Sequence, residues 1–155
     1  MTTALVLPTE DDIRMTLAML YGEDATAIKM DDQPDFDLVG LYVDDDDKPV
    51  AAMACDFPFA AYAGASLTMI PLGGAEACIE GGELTEMMMA NLQEVCNIGS
   101  RWYMTADTAH IRFATLHSVA DVPAEAQCVL EASLTRGFEI NIPKYGVGHI
   151  VCLST

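Results

Sequence analysis

The sequence predicts an α+β fold in which a mainly antiparallel sheet is packed by two long helices. Three observations carry that expectation. Apolar residues repeat at helical spacing in two runs, near residues 9–21 and 83–103. Short runs rich in Val, Leu, Ile and Tyr flank polar turns at 37–55 and again at 138–154. The order helix, strands, helices, strands joins strands as hairpins instead of alternating them with helices. At 155 residues, 52% of them hydrophobic, the chain is expected to form one domain, 1–155, with a sizeable core.

Each element has a local reason. Thr9 suits an N-cap, Glu10, Asp11 and Asp12 suit the first turn, and Ile13, Leu17, Leu20 and Tyr21 form the apolar stripe that Gly22 ends. Residues 25–30 read as a short strand. "DLVGLYV" and "PVAAMAC" read as a hairpin around "DDDDK", residues 44–48. That run lacks the alternating ligands, central Gly and final Glu of a calcium loop, so it reads as an exposed turn of self-repelling charges. Residues 58–70 read as a small-residue helix, and "LGG" and "EGG" as a glycine-rich break before the second long helix, 83–103. Residues 110–119 read as a strand. Residues 123–134 are ambiguous, with Pro123 at a possible helix start. "FEINIPKYGVGHIVCLS" reads as two strands joined by a turn at 144–148.

Composition narrows the function. Seven basic residues against 24 acidic give a net charge of −17, too few cations for a patch that binds nucleic acid or an anionic membrane. A basic partner, or one presenting a lysine, fits better. The 19 uncharged residues from Phe57 to Ala75 meet the length of a membrane span, but Pro58 and Pro71 break them and no Lys or Arg flanks them. A buried strand-to-helix segment is the better reading. The start "MTTALVLPTEDDIR" lacks the pattern of a signal peptide, and five scattered cysteines form no C-x-x-C pair. Together these suggest reduced thiols and a cytoplasmic protein. His110, His117 and His149 show no metal-ligand spacing, and no Ser or Cys has a recognisable nucleophile setting. "YVDDDDK" has the acidic pair of a receiver domain but leads to another strand, not a helix.

The second long helix carries the candidate site. At about 100° per residue, Leu84, Met88, Met89, Leu92, Val95, Cys96, Trp102 and Tyr103 fall within an arc of about 140°. Glu94 and Asn97, neighbours at i, i+3, lie opposite that stripe beside Ala90 and Arg101. Met87 and Ile98 border them with apolar surface, which is the composition of a docking face.

"EVCNIGS" on this helix, after a strand pair and a small-residue helix, resembles the CheC/CheX family of chemotaxis phosphatases. The ending "INIPKYGVGHIVCL" resembles that family's closing hairpin, and the likeness extends over residues 8–153. The resemblance implies a phosphatase that hydrolyses the aspartyl phosphate of a CheY-like response regulator. It implies that Glu94 forms a salt bridge to a lysine of the regulator and that Asn97 enters its active site to orient the attacking water. Met87, Ala90, Ile98 and Arg101 would then meet the partner. Magnesium would come from the regulator, and no cofactor is expected on this chain.

Such chemistry is reasonable, because an acyl phosphate is already activated and needs a water placed in line more than a strong base. An amide both donates and accepts, so it holds a water by geometry. Two positions depart from the pattern. Ala90 stands where the family often has Asp or Ser, and the family's usual proline, some two dozen residues after the Asn, corresponds only loosely to Pro123, 26 after Asn97. The first helix has no Glu-x-x-Asn, which implies one site, as in CheX-like members. Those members pair, and the closing strand "GHIVCLS" reads as an open edge, so a homodimer is also implied. The competing reading is a non-catalytic scaffold module akin to flagellar-switch domains, which Ala90 favours.

Overall fold

The computed structural model describes residues 4–132 and 134–155. Helix α1, Glu10–Tyr21, begins at a capping box in which Asp12 N donates to Thr9 Oγ1 (3.1 Å) and Thr9 N to Asp12 Oδ2 (2.9 Å). Strand β1 (Thr26–Lys29) and the hairpin β2 (Leu38–Val43) and β3 (Pro49–Cys55) follow. Three helices come next: α2 (Phe57–Leu67), α3 (Leu72–Gly81) and α4 (Glu86–Gly99). A 3-10 turn, Ser100–Tyr103, leads towards β4 (Arg112–Ser118). Short turns and the one-turn helix α5 (Gln127–Leu130) precede the hairpin β5 (Leu134–Ile142) and β6 (Gly146–Ser154).

The six strands form one sheet in the order β1-β5-β6-β3-β2-β4, with every neighbouring pair antiparallel. The α+β expectation holds. Strand alternation sorts the core onto two faces. Tyr42, Met53, Cys55, Phe138, Ile140, Ile150 and Cys152 belong to one buried cluster with Ile13 and Leu17 of α1, Phe59 of α2 and Leu92 and Val95 of α4. Val39, Leu41, Ala52, Ala54, Val151 and Leu153 form a second cluster with Val122, Ala126 and Val129. The ambiguous 123–134 stretch thus becomes a cover for the far side of the sheet.

Small residues set how closely α2 sits. A Cβ at Gly64 would lie 2.8 Å from Met88 O of α4, and one at Gly148 would lie 2.3 Å from Phe59 N. Backbone therefore meets backbone on both sides of α2, which wedges α4 into a fixed position. Asp56 caps α2 by accepting from Phe59 N at 2.9 Å.

Several expectations need correction. The glycine-rich break is helix α3, because Pro71 opens it and Gly82, at φ +71°, supplies the left-handed stop one step later. Phe57–Ala75 is accordingly a helix, a loop and the start of another helix, not a strand-to-helix segment. The second long helix is shorter than predicted: Thr85 caps it, Met88 N donating to Thr85 Oγ1 at 3.2 Å, and it tightens after Gly99. Strand β5 begins four residues before Phe138, and its turn occupies 143–145.

The run 44–48 is more than self-repelling charge. Asp44 Oδ1 accepts from Asp46 N (2.9 Å) and Lys48 N (3.0 Å), while Asp47 pairs with Arg112 and Asp45 lies 3.3 Å from His110 Nδ1. Finally, the closing strand has no open edge. β6 lies between β5 and β3, and the sheet ends at β1 and β4, so this strand gives no support to a homodimer.

Candidate functional site

Helix α4 is held by its buried side. Met88, Leu92, Val95 and Cys96 are fully covered, and Tyr42 Oη donates to Cys96 O at 2.5 Å. Asn91, only 8% exposed, donates through Nδ2 to Gly64 O (2.8 Å) and Thr68 Oγ1 (2.9 Å), tying α4 to α2. Beyond the helix, Trp102 Nε1 donates to Thr16 Oγ1 of α1 at 3.0 Å, and Val6 N donates to Tyr103 O at 3.0 Å. The last turn is tightened so that Trp102 and Tyr103 reach the core. Tyr103 Oη then donates to Ala52 O at 2.6 Å.

The opposite side of this platform is wet. Ala90, Glu94, Asn97 and Arg101 are all exposed, and Met87 is 56% exposed. Among the described residues no hydrogen bond or ion pair occupies the side chain of Glu94 or Asn97; only the Asn97 carbonyl is used, accepting from Ser100 Oγ at 2.9 Å. Both functional groups are therefore available to another molecule. Ile98 is half-buried and contributes only its edge, and Met89, placed on the core stripe, is likewise half-buried at its margin. Arg101 lies in the 3-10 turn, not on the helix as predicted. Ser100 keeps right-handed helical dihedrals (φ −55°, ψ −31°), which carries Arg101 on along the exposed side.

A cleft of ≈ 380 Å³ lies between this turn and α1, lined by Asp12, Met15, Thr16, Arg101, Trp102 and Met104 among others. It was not visible in the sequence, because it depends on α1 and the 3-10 turn meeting through Trp102. Asn91 was also missed. Its signal is only a polar residue at the margin of the apolar stripe, one position before Leu92.

Three of the five thiols are sequestered in the core, while Cys78 is half-buried and Cys128 exposed. Burial pushes the thiols of Cys96 and Cys152 up to about 12 and raises Cys55, so these are poor nucleophiles. Burial also raises the phenols of Tyr42 and Tyr103. His149 serves the fold, since its Nδ1 lies 2.7 Å from Asp56 Oδ2, the residue that caps α2. Among the described residues no group of three or more His, Cys, Asp or Glu side chains is placed to hold a metal ion. No helix there is long and apolar enough to cross a membrane.

No protein-family model and no curated protein matches the chain. Solved structures do. The FliM middle domain from H. pylori superposes with a TM-score of 0.56 at 9% identity, covering 94% of this chain and 84% of that one. FliM in the FliM–SpeE complex from H. pylori gives 0.58 at 9% identity, over 94% of this chain and 81% of that one. Thermotoga maritima FliY gives 0.54 at 14% identity, over 92% and 82%. The chain thus has the fold of the FliM middle domain and of FliY. At these identities the likeness is one of fold.

Proposed function

We propose that the chain is a phosphatase acting on the aspartyl phosphate of a CheY-like response regulator. The observation that carries this reading is the exposed, unengaged pair Glu94 and Asn97 on a helix whose other side is locked to α2, α1 and the sheet. Catalysis by positioning needs rigid placement of the orienting group. Asn97 holds a water in line with the acyl phosphorus, and Glu94 takes a lysine of the regulator to fix the register. The regulator supplies the magnesium. Water attacks phosphorus, the P–O bond to the aspartyl carboxylate breaks, and inorganic phosphate leaves.

A scaffold role is the second reading. It draws on Ala90, which gives the stripe no hydroxyl or carboxylate one turn before Glu94, and on the fold shared with FliM, which is found in complexes named for FliG and SpeE. The two readings separate in one experiment. The chain is mixed with radiolabelled phospho-regulators from the same organism. Label lost faster than from the regulator alone supports the phosphatase; binding without faster loss supports the scaffold.

A further inference from the structure

Four arginines are present, and three of them are occupied within the chain: Arg14 pairs with Asp11, Arg112 with Asp47, and Arg136 donates to Pro8 O at 2.8 Å. Arg101 is the exception. Among the described residues its guanidinium has no hydrogen bond or ion pair, although the chain carries 24 acidic residues and Asp12 lines the same cleft. Asp12 is itself engaged, since its Oδ2 accepts from Thr9 N at 2.9 Å.

We infer that Arg101 is the phosphoryl-recognition residue of this face, an inference that rests on the phosphatase reading. Four residues of helical rise separate it from Asn97, about 6 Å along the axis, a distance the arginine side chain spans. A guanidinium forms bidentate charge-assisted hydrogen bonds with phosphoryl oxygens, and it stays charged at every working pH. The need for it is electrostatic. A phosphorylated aspartate adds close to two negative charges, and it must approach a chain of net charge −17 within one turn of the Glu94 carboxylate. Arg101 is the one arginine placed to offset that repulsion at Asn97. The substrate class is therefore the phosphorylated receiver and not its unmodified form.

The test compares wild type, Arg101→Ala and Arg101→Lys for affinity towards a panel of CheY-like receiver domains. Each receiver is presented with magnesium and beryllofluoride, which stands in for the phosphoryl group, and again unmodified. Circular dichroism confirms folding. The expected result is a loss of about tenfold or more for Arg101→Ala on the beryllofluoride form only, with Arg101→Lys falling between. Equal losses on both forms would assign Arg101 to a general acidic contact and overturn the inference, as would no loss. A wild-type chain that neither prefers a beryllofluoride-loaded receiver nor accelerates label loss brings down the phosphatase reading itself. That outcome is distinct, because it appears before any variant is made.

Discussion

Replacing Asn97 by Ala separates chemistry from docking. The carboxamide is exposed and has no partner within the described chain, so its loss opens no cavity and leaves no buried group unpaired. The cost in stability stays within about 0.5 kcal/mol. For a chain of this size that is a shift in Tm of less than about 2 °C. On the proposed phosphatase reading the effect on rate should be large by contrast, because the amide's hydrogen bonds to the attacking water would form fully only in the transition state. Removing one preorganised hydrogen-bonding group at a reacting centre typically costs about 10²–10³ in rate, or about 3–4 kcal/mol. Affinity for the regulator should change little. The assay measures phosphate release from labelled regulator under single turnover, with affinity for the beryllofluoride form and thermal melting as controls. If Asn97→Ala keeps wild-type turnover, Asn97 does not orient the water and the mechanism fails. If turnover falls together with Tm, the side chain is structural and its exposure has been misread.

Three further outcomes are expected. Glu94→Ala should weaken regulator binding, and the loss should shrink at high salt, where an exposed ion pair is already screened; a salt-independent loss would remove the lysine contact. Asn91→Ala strands the buried Gly64 O beneath α4 and should lower stability by about 1–3 kcal/mol in denaturant titration, while an unchanged midpoint would show that water replaces it. The thiols of Cys96 and Cys152 are raised in the folded chain, so above about pH 9 the unfolded chain releases protons first and stability falls as pH rises towards 12. Denaturation midpoints that stay flat over that interval would contradict their burial.

Much of the fold was legible because its signals are local. The capping box at Thr9, the apolar repeat Ile13–Leu17 and the hairpin around 44–48 need no knowledge of distant residues. The exposed side of α4 was legible for the same reason: once the helix is granted, Glu94 and Asn97 must oppose Leu92 and Val95. What escaped depends on tertiary context. Glycines that break an isolated helix sit inside α3, where Pro71 and Gly82 fix the two ends and Ala75 is buried. Strand order is set by pairing partners far apart in sequence, so the place of β6 inside the sheet could not be read from its terminal position. Asn91 escaped because its role depends on Gly64 O, 27 residues earlier, lying against it.

Glu94 and Asn97 stand on an open helix face, with the cleft against α1 reached only at Arg101, and an open face suits the chemistry proposed for it. An enzyme acting on a small molecule must surround it, whereas one acting on another protein's acyl phosphate uses the partner's cavity and metal and contributes only what the partner lacks. The missing part is a group that holds water at a fixed place. A single exposed amide supplies this provided its backbone does not move. Buried polar contacts meet that requirement: Tyr42 to Cys96 O, Asn91 to Gly64 O and Trp102 to Thr16 each clamp α4 or its extension from a different element. A scaffold would need an adhesive surface more than a motionless one, and its central patch would be rich in buried aromatic anchors. The stripe Ala90–Glu94–Asn97–Arg101 has none, with Met87 and half of Ile98 as its apolar rim. Rigid placement under a polar, weakly adhesive face suits a catalyst that must release its partner after each turnover.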